Sequence, residues 1–188
     1  MSDQDELQRL VPLAQAGNRH ALENVIQICY PVILRYCRAR MSGGRHPTAE
    51  DVAQETCLAL ANSIERYVDR GRPFMAFVYG IASNKVADAM RYYKRDLSNP
   101  TEDVPDTEIE HESPEYLTMV QAGSNRICDL LDVLSDKARE VVILRVFNGF
   151  SADETAAILG STPGAVRVAQ HRALATLRKA LDQERGNE

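Results

Sequence analysis

Between residues 96 and 116 the sequence reads DLSNPTEDVPDTEIEHESPEY: eight acidic residues, no lysine or arginine, and prolines at 100, 105 and 114. A stretch this charged and this poor in apolar side chains cannot bury enough surface to offset the entropy of ordering its backbone. It therefore splits the chain into residues 1–95 and residues 117–188 and is expected to be a flexible acidic linker between two small domains. A length of 188 residues accommodates that division. Charge follows the same boundaries. Residues 1–95 carry thirteen bases and ten acids, and residues 117–188 carry nine of each, so the chain's negative charge comes from the linker, whose −8 is only partly offset by the +3 of the first segment.

Both flanking segments read as helical, and no strand alternation interrupts them, so the expected fold class is all-α. Apolar residues recur at helical spacing through LQRLVPLAQAG, stop at Gly17-Asn18, and resume through HALENVIQICYPVILRYCRAR as far as Ser42-Gly43-Gly44. Thr48 can cap the next helix, with Asp51 completing a capping box, and that helix reaches about Tyr67. The loop VDRGRP then leads into a long helix from Phe74 to about Arg95. In the second domain, which begins near Tyr116, Ser135 caps DKAREVVILRVF. Ser151 and Glu154 form a capping box for SADETAAILG, with Gly160 as its left-handed stop. Thr162 caps a third helix, with Pro163 at its first position, where a missing N–H costs nothing.

From Ala156 to Leu181 the chain has four bases (Arg167, Arg172, Arg178 and Lys179) and no acid. A short helix, a Gly-containing turn and a longer basic helix are the parts of a helix-turn-helix, whose second helix enters the major groove. Thr162, Ala165, Arg167, Val168, His171 and Arg172 would then face DNA. Arg178 and Lys179 would sit nearer the phosphates. The alternative is a helical hairpin whose basic face only keeps the protein soluble. Such a face usually mixes signs, whereas a duplex repels carboxylates, and that favours DNA.

A second constellation lies on the Phe74–Arg95 helix. At 100° per residue, Asn84, Asp88, Arg91 and Arg95 fall on one strip bordered by Phe77 and Ile81. Phe74, Val78, Ala82, Val86, Ala89 and Tyr93 fall opposite and read as the core face. Amide, carboxylate and guanidinium groups beside an aromatic suit a separated DNA strand, and equally suit an ordinary wet face.

AEDVAQETCLAL (49–60), FMAFVYGIASNKVADAMRYYKR (74–95) and LSDKAREVVILRVFNGFSADETAAILGSTPGAVRVAQHRALATLRK (134–179) together resemble domains two and four of bacterial RNA polymerase sigma factors of the extracytoplasmic-function group. The resemblance implies a transcription initiation factor with sigma domain 2 at 1–95, the linker at 96–116 and sigma domain 4 at 117–188. Asp51, Gln54, Glu55 and Leu58 would dock on the clamp coiled coil of the largest polymerase subunit. Val68, Asp69, Arg70, Gly71 and Arg72, with Phe77, Asn84, Asp88, Arg91 and Arg95, would melt and hold the −10 element. Thr162, Arg167, Val168, His171, Arg172 and Arg178 would read the −35 element as duplex. The resemblance also implies core RNA polymerase, promoter DNA and an anti-sigma factor as partners, and no cofactor. The chain departs from the family where Phe77 replaces a frequent Trp. It departs again where Gly164-Ala165-Val166-Arg167-Val168-Ala169 replaces a more polar run. No appended domain is expected after Glu188.

A stand-alone helix-turn-helix regulator binding an operator is the competing expectation, and it leaves the Asp51–Glu55 block unexplained. An enzyme built on Cys57 with His46, or on Glu50, Asp51 and Glu55, finds no H-E-x-x-H, G-x-S-x-G or glycine-rich cradle in support. Cys29, Cys37, Cys57 and Cys128 have neither zinc nor disulfide spacing and read as free buried thiols. His20, His46, His111 and His171 are scattered, so no metal site is expected. The polar N-terminus and the absence of a long apolar run point to a cytoplasmic protein without a membrane span.

Overall fold

The computed structural model describes residues 3–41, 45–98, 123 and 125–185, and every regular element among them is helical. The first half contains α1 (Asp3–Gln15), α2 (Arg19–Arg40), α3 (Ala49–Ser63), a 3-10 turn (Ile64–Arg66) and α4 (Phe74–Ser98). The second contains α5 (residues 125–131), α6 (Asp136–Val142), which continues as a π turn (Ile143–Phe147), α7 (Ala152–Leu159) and α8 (Pro163–Arg185).

The helix starts are where the side chains can satisfy them. Asn18 Oδ1 accepts the Ala21 N–H at 3.0 Å. Thr48 with Asp51, and Ser151 with Glu154, form complete capping boxes, each cap contributing about 1 kcal/mol. Gly160 closes α7 at φ +62°, the left-handed geometry that other residues adopt at a cost. The core face of α4 is as its periodicity requires, since Phe74, Val78, Ala82, Val86, Ala89 and Tyr93 are all buried.

Three features differ from the sequence reading. Helix α4 runs to Ser98, past Arg95, so residues 96–98 continue the helix, while residues 99–116 of the expected linker lie outside the described residues. Likewise outside are Ser42–Gly44, Tyr116 and His111. The helix after Ser135 switches at Ile143 to a π turn, and the Asn148 N–H bonds back to Ile143 O. Helix α5 was not anticipated; its Leu131 is buried.

Helices α1–α4 pack around Val25, Ile33, Tyr36, Leu60, Val78 and Val86, all almost fully buried. A smaller core of Val141, Ala152, Ala156 and Val166 holds α7 on α8. The two halves also touch. Leu131, Ile143 and Leu144 join the same apolar cluster as the first-half core, and α4 packs on α7.

Candidate nucleic-acid interface

The loop between the 3-10 turn and α4 is built from local bonds. Asp69 Oδ1 accepts the Gly71 N–H at 2.8 Å, and Gly71 sits at φ +73°, which favours glycine. Gln15 of α1 donates to Tyr67 O at 2.7 Å and pins the start of the loop. Behind it Tyr67, Phe74 and Phe77 form an aromatic cluster, with ring centroids 4.9 to 6.0 Å apart. The loop and cluster enclose a cleft of about 320 Å³ lined by Arg66, Tyr67, Val68, Arg70, Arg72 and Phe77, among others. A ring face beside three guanidiniums suits an unstacked base with its phosphates. Tyr67 and Arg66 belong to this cleft and were missed by the sequence reading. The spacing of Tyr67, Phe74 and Phe77 around a Gly-Pro loop was their signal.

Asn84, Asp88, Arg91 and Arg95 are exposed on α4, opposite the core face. Asp88 pairs with Arg91 one turn on, so the strip carries its own internal ion pair. Arg72 does not join it. Its Nη2 instead donates to Ala157 O in α7 at 2.5 Å and lies beside Gly160.

On α3 the predicted residues divide by role. Asp51 is held by Thr48: its Oδ2 accepts from the Thr48 N–H at 2.8 Å and hydroxyl at 2.9 Å, and faces His46 Nδ1 at 3.4 Å. Its carboxylate is thus committed to starting the helix. Gln54, Glu55 and Leu58 point outward; Leu58 is 64 % exposed, and Glu55 pairs with Lys85 at 3.2 Å. These residues, with His46, Pro47 and Asp51, line a shallow cleft of about 350 Å³.

In the helix-turn-helix, Thr162 Oγ1 accepts the Ala165 N–H at 3.2 Å, as expected of a cap. Val166, Ala173 and Leu177 turn inward and are buried. That leaves Arg167, Val168, His171, Arg172 and Arg178 on the outer face. Arg167 approaches Asp153 of α7 at 3.7 Å, both largely exposed. Arg145, absent from the sequence reading, braces the motif from behind: it donates to Gln170 Oε1 at 2.9 Å and to Phe150 O. Nothing in its local sequence distinguishes it from a surface arginine.

The cysteines offer no nucleophile. All four are free and buried. Burial pushes the Cys29 and Cys37 thiols up to about 12 and, aided by Asp132 and Asp129, that of Cys128 to about 11. Among the described residues no His, Cys, Asp and Glu group is arranged to hold a metal ion. None of the described helices is long and apolar enough to cross a membrane.

Comparison with known proteins brings both halves together. Residues 25–96 match the family described as Sigma-70 region 2, and residues 124–177 match Sigma-70, region 4. The chain is 48 % identical over 179 residues to the ECF RNA polymerase sigma factor SigD of Mycobacterium tuberculosis, covering 94 % of this chain and 84 % of that one. Its fold is similar to CnrH, solved in complex with the cytosolic domain of CnrY, with a TM-score of 0.71 at 25 % identity over 95 % of this chain and 98 % of that one. RpoE of Bartonella quintana, solved with the anti-sigma factor NepR, shares the fold with a TM-score of 0.54 at 24 % identity, over 83 % and 95 % of the two chains.

Proposed function

The chain belongs to the sigma-70 family as an extracytoplasmic-function sigma factor, a transcription initiation factor that directs RNA polymerase to promoters, and from that premise we propose which of its surfaces does what. A stand-alone operator-binding regulator is set aside, because residues 25–96 match a sigma region that such a protein does not need. The division of labour follows the two matched regions, with residues 1–95 and 117–188 as the working domains.

The α3 face docks on the polymerase clamp. An exposed leucine ringed by an amide and a carboxylate, as Leu58 is by Gln54 and Glu55, provides an apolar anchor with a polar rim. Asp51 shapes this face by fixing where α3 begins.

The observation that carries the promoter assignment is the cleft of Tyr67 and Phe77 with Arg66, Arg70 and Arg72. Taking a base out of the duplex costs a few kcal/mol. Stacking on an aromatic returns about 1–3 kcal/mol per base, and guanidiniums neutralise the accompanying phosphates. The cleft thereby captures a −10 base that has already swung out, and Val68–Arg72, Asn84, Asp88, Arg91 and Arg95 hold the strand. On α8, Arg167, His171 and Arg172 read the −35 duplex, with Thr162, Val168 and Arg178 alongside. All of this is binding work, so no reaction is assigned to the chain. Its place is the cytoplasm, where polymerase and promoter meet, and an anti-sigma factor is its expected restraint.

Run-off transcription on sheared genomic DNA of the source organism, with core polymerase alone and then with this protein, tests the reading. New start sites sharing two upstream elements are expected; no new starts would overturn it.

A further inference from the structure

A glycine in the interior of a helix is less stable there than alanine, so its presence asks for a reason. Two reasons are internal to a fold: a turn that needs positive φ, or a neighbour so close that a Cβ would strike it. Of the seven described glycines, four have positive φ, and Gly123 borders residues outside those described. Gly80 and Gly164 have neither reason: φ is ordinary at both, and a Cβ added to either would meet nothing within 4 Å. Gly164 lies in the first turn of α8, beside the Thr162 cap. Gly80 lies in the interior of the 25-residue α4, where its effect on helix stability is felt in full.

Gly80 is exposed, on the side of α4 turned away from its core face. At 100° per residue it lies about 40° from Asn84 and about 20° from Arg91, so it borders the strip assigned to the −10 strand. Along the helix axis it falls between Phe77, which lines the aromatic and arginine cleft, and Asn84. Those two positions are about 10 Å apart at a rise of about 1.5 Å per residue. Ile81, half-buried, and Gly80 flank the line that joins them. Ile81 therefore walls one side of a notch, and on the other side the helix main chain lies bare. A strand that rests one base on Phe77 and reaches Asn84 with the next has to cross this notch.

We infer that Gly80 is a positioning residue for promoter opening: with no side chain there, the deoxyribose of the captured strand lies directly on the α4 main chain between Phe77 and Asn84. This rests on the −10 assignment above. The main-chain N–H and C=O groups of a helix interior are already paired with each other, so the notch demands no hydrogen bond from what crosses it. The C–H edge of a sugar meets that condition, and a phosphate does not. A methyl group at position 80 would lift the strand off the helix and draw the base away from Phe77 or its neighbour away from Asn84. The helix is weaker at Gly80 than alanine would leave it, and the strand contact is what the weaker residue permits.

The test sets stability against opening. Full-length wild type, Gly80→Ala, Gly80→Leu and Ser83→Ala are each combined with core polymerase on a promoter found by the run-off screen, with 2-aminopurine in its −10 region. Ser83 is exposed and lies about 60° from Gly80 on the side away from Asn84, so it controls for stiffening of α4 alone. Alanine is the better helix former at both positions, and G80A should melt about 2–4 °C above wild type. Opening should nevertheless fall about tenfold in G80A and further in G80L, as bulk added against a close contact requires. S83A should open DNA as wild type does, and affinity for core should be the same in all four proteins. Equal opening by wild type and G80A overturns the inference. An equal loss in S83A overturns it too, by tracing the effect to helix stiffness, and a loss of core affinity matching the loss of opening would move Gly80 to the docking surface. If wild type itself opens nothing with core, the −10 assignment falls, and the inference with it.

Discussion

Arg40 and Glu140 face each other across the two halves of the molecule at 3.4 Å, with side chains only 19 % and 21 % exposed. Neither has a charged neighbour in sequence that foretells the other. Arg40 ends α2, and Glu140 lies midway along α6. Their meeting turns two matched sigma regions into one closed body with a continuous apolar cluster beneath it.

The carboxyl of Glu140 is raised above its usual value of 4.5, chiefly by burial, with Arg40, the Tyr36 hydrogen bond and Arg139 pulling it down and Asp136 adding to the rise. A group raised in the folded state contributes stability that is full below its ordinary value and lost as pH climbs through the raised one. Wild type and Glu140→Gln should therefore melt together in acid, and the wild type should fall below the variant as pH rises towards neutrality. Thermal melts of the two proteins across this range check it. A constant difference between them at every pH contradicts the assignment.

Leu58 is 64 % exposed on α3. Leu58→Ala should leave stability within about 0.5 kcal/mol, while weakening core polymerase binding by on the order of tenfold, as expected for an interface anchor. Equilibrium binding to core, set beside a urea melt, separates the two effects. The Lys85–Glu55 pair, partly solvent-exposed, should matter little to stability.

Phe77 borders the aromatic cluster and the loop cleft. Phe77→Ala should cost promoter opening about 1–3 kcal/mol of stacking, and Phe77→Trp, with its larger ring, should recover or exceed wild-type opening. Fluorescence of 2-aminopurine placed in the −10 region reports the opened base. Equal opening in all three proteins would take Phe77 out of the capture site.

Arg172 is exposed on the outer face of α8, and Ala173 beside it is buried. Arg172→Ala should cost about 1–3 kcal/mol at a single −35 position if the guanidinium forks onto a base. A loss spread evenly over all sequences, with a shallower salt dependence, assigns it to phosphate instead. Competition binding against singly substituted −35 duplexes distinguishes them.

Much of this was readable locally. Thr48 with Asp51, Ser151 with Glu154, and Gly160 each act within four residues of themselves, so the caps and stops they imply appear as expected. The buried face of α4 follows from its 3.6-residue period for the same reason. The π turn at Ile143–Phe147 carried no such mark. The packing of α2 on this segment, which no local pattern records, accompanies the departure from α geometry.

The sequence by itself determined which segments are helices, which face of each is apolar, and which family the chain resembles, because these are short-range patterns of residue type. Only the tertiary structure decided that Arg72 reaches Ala157, that Glu140 lies between Tyr36 and Arg40, and that Arg145 braces Gln170. Such contacts join residues far apart in the chain. They depend on how whole helices settle against one another, and a polar side chain bound for a distant partner looks, in sequence, like any other on a wet face.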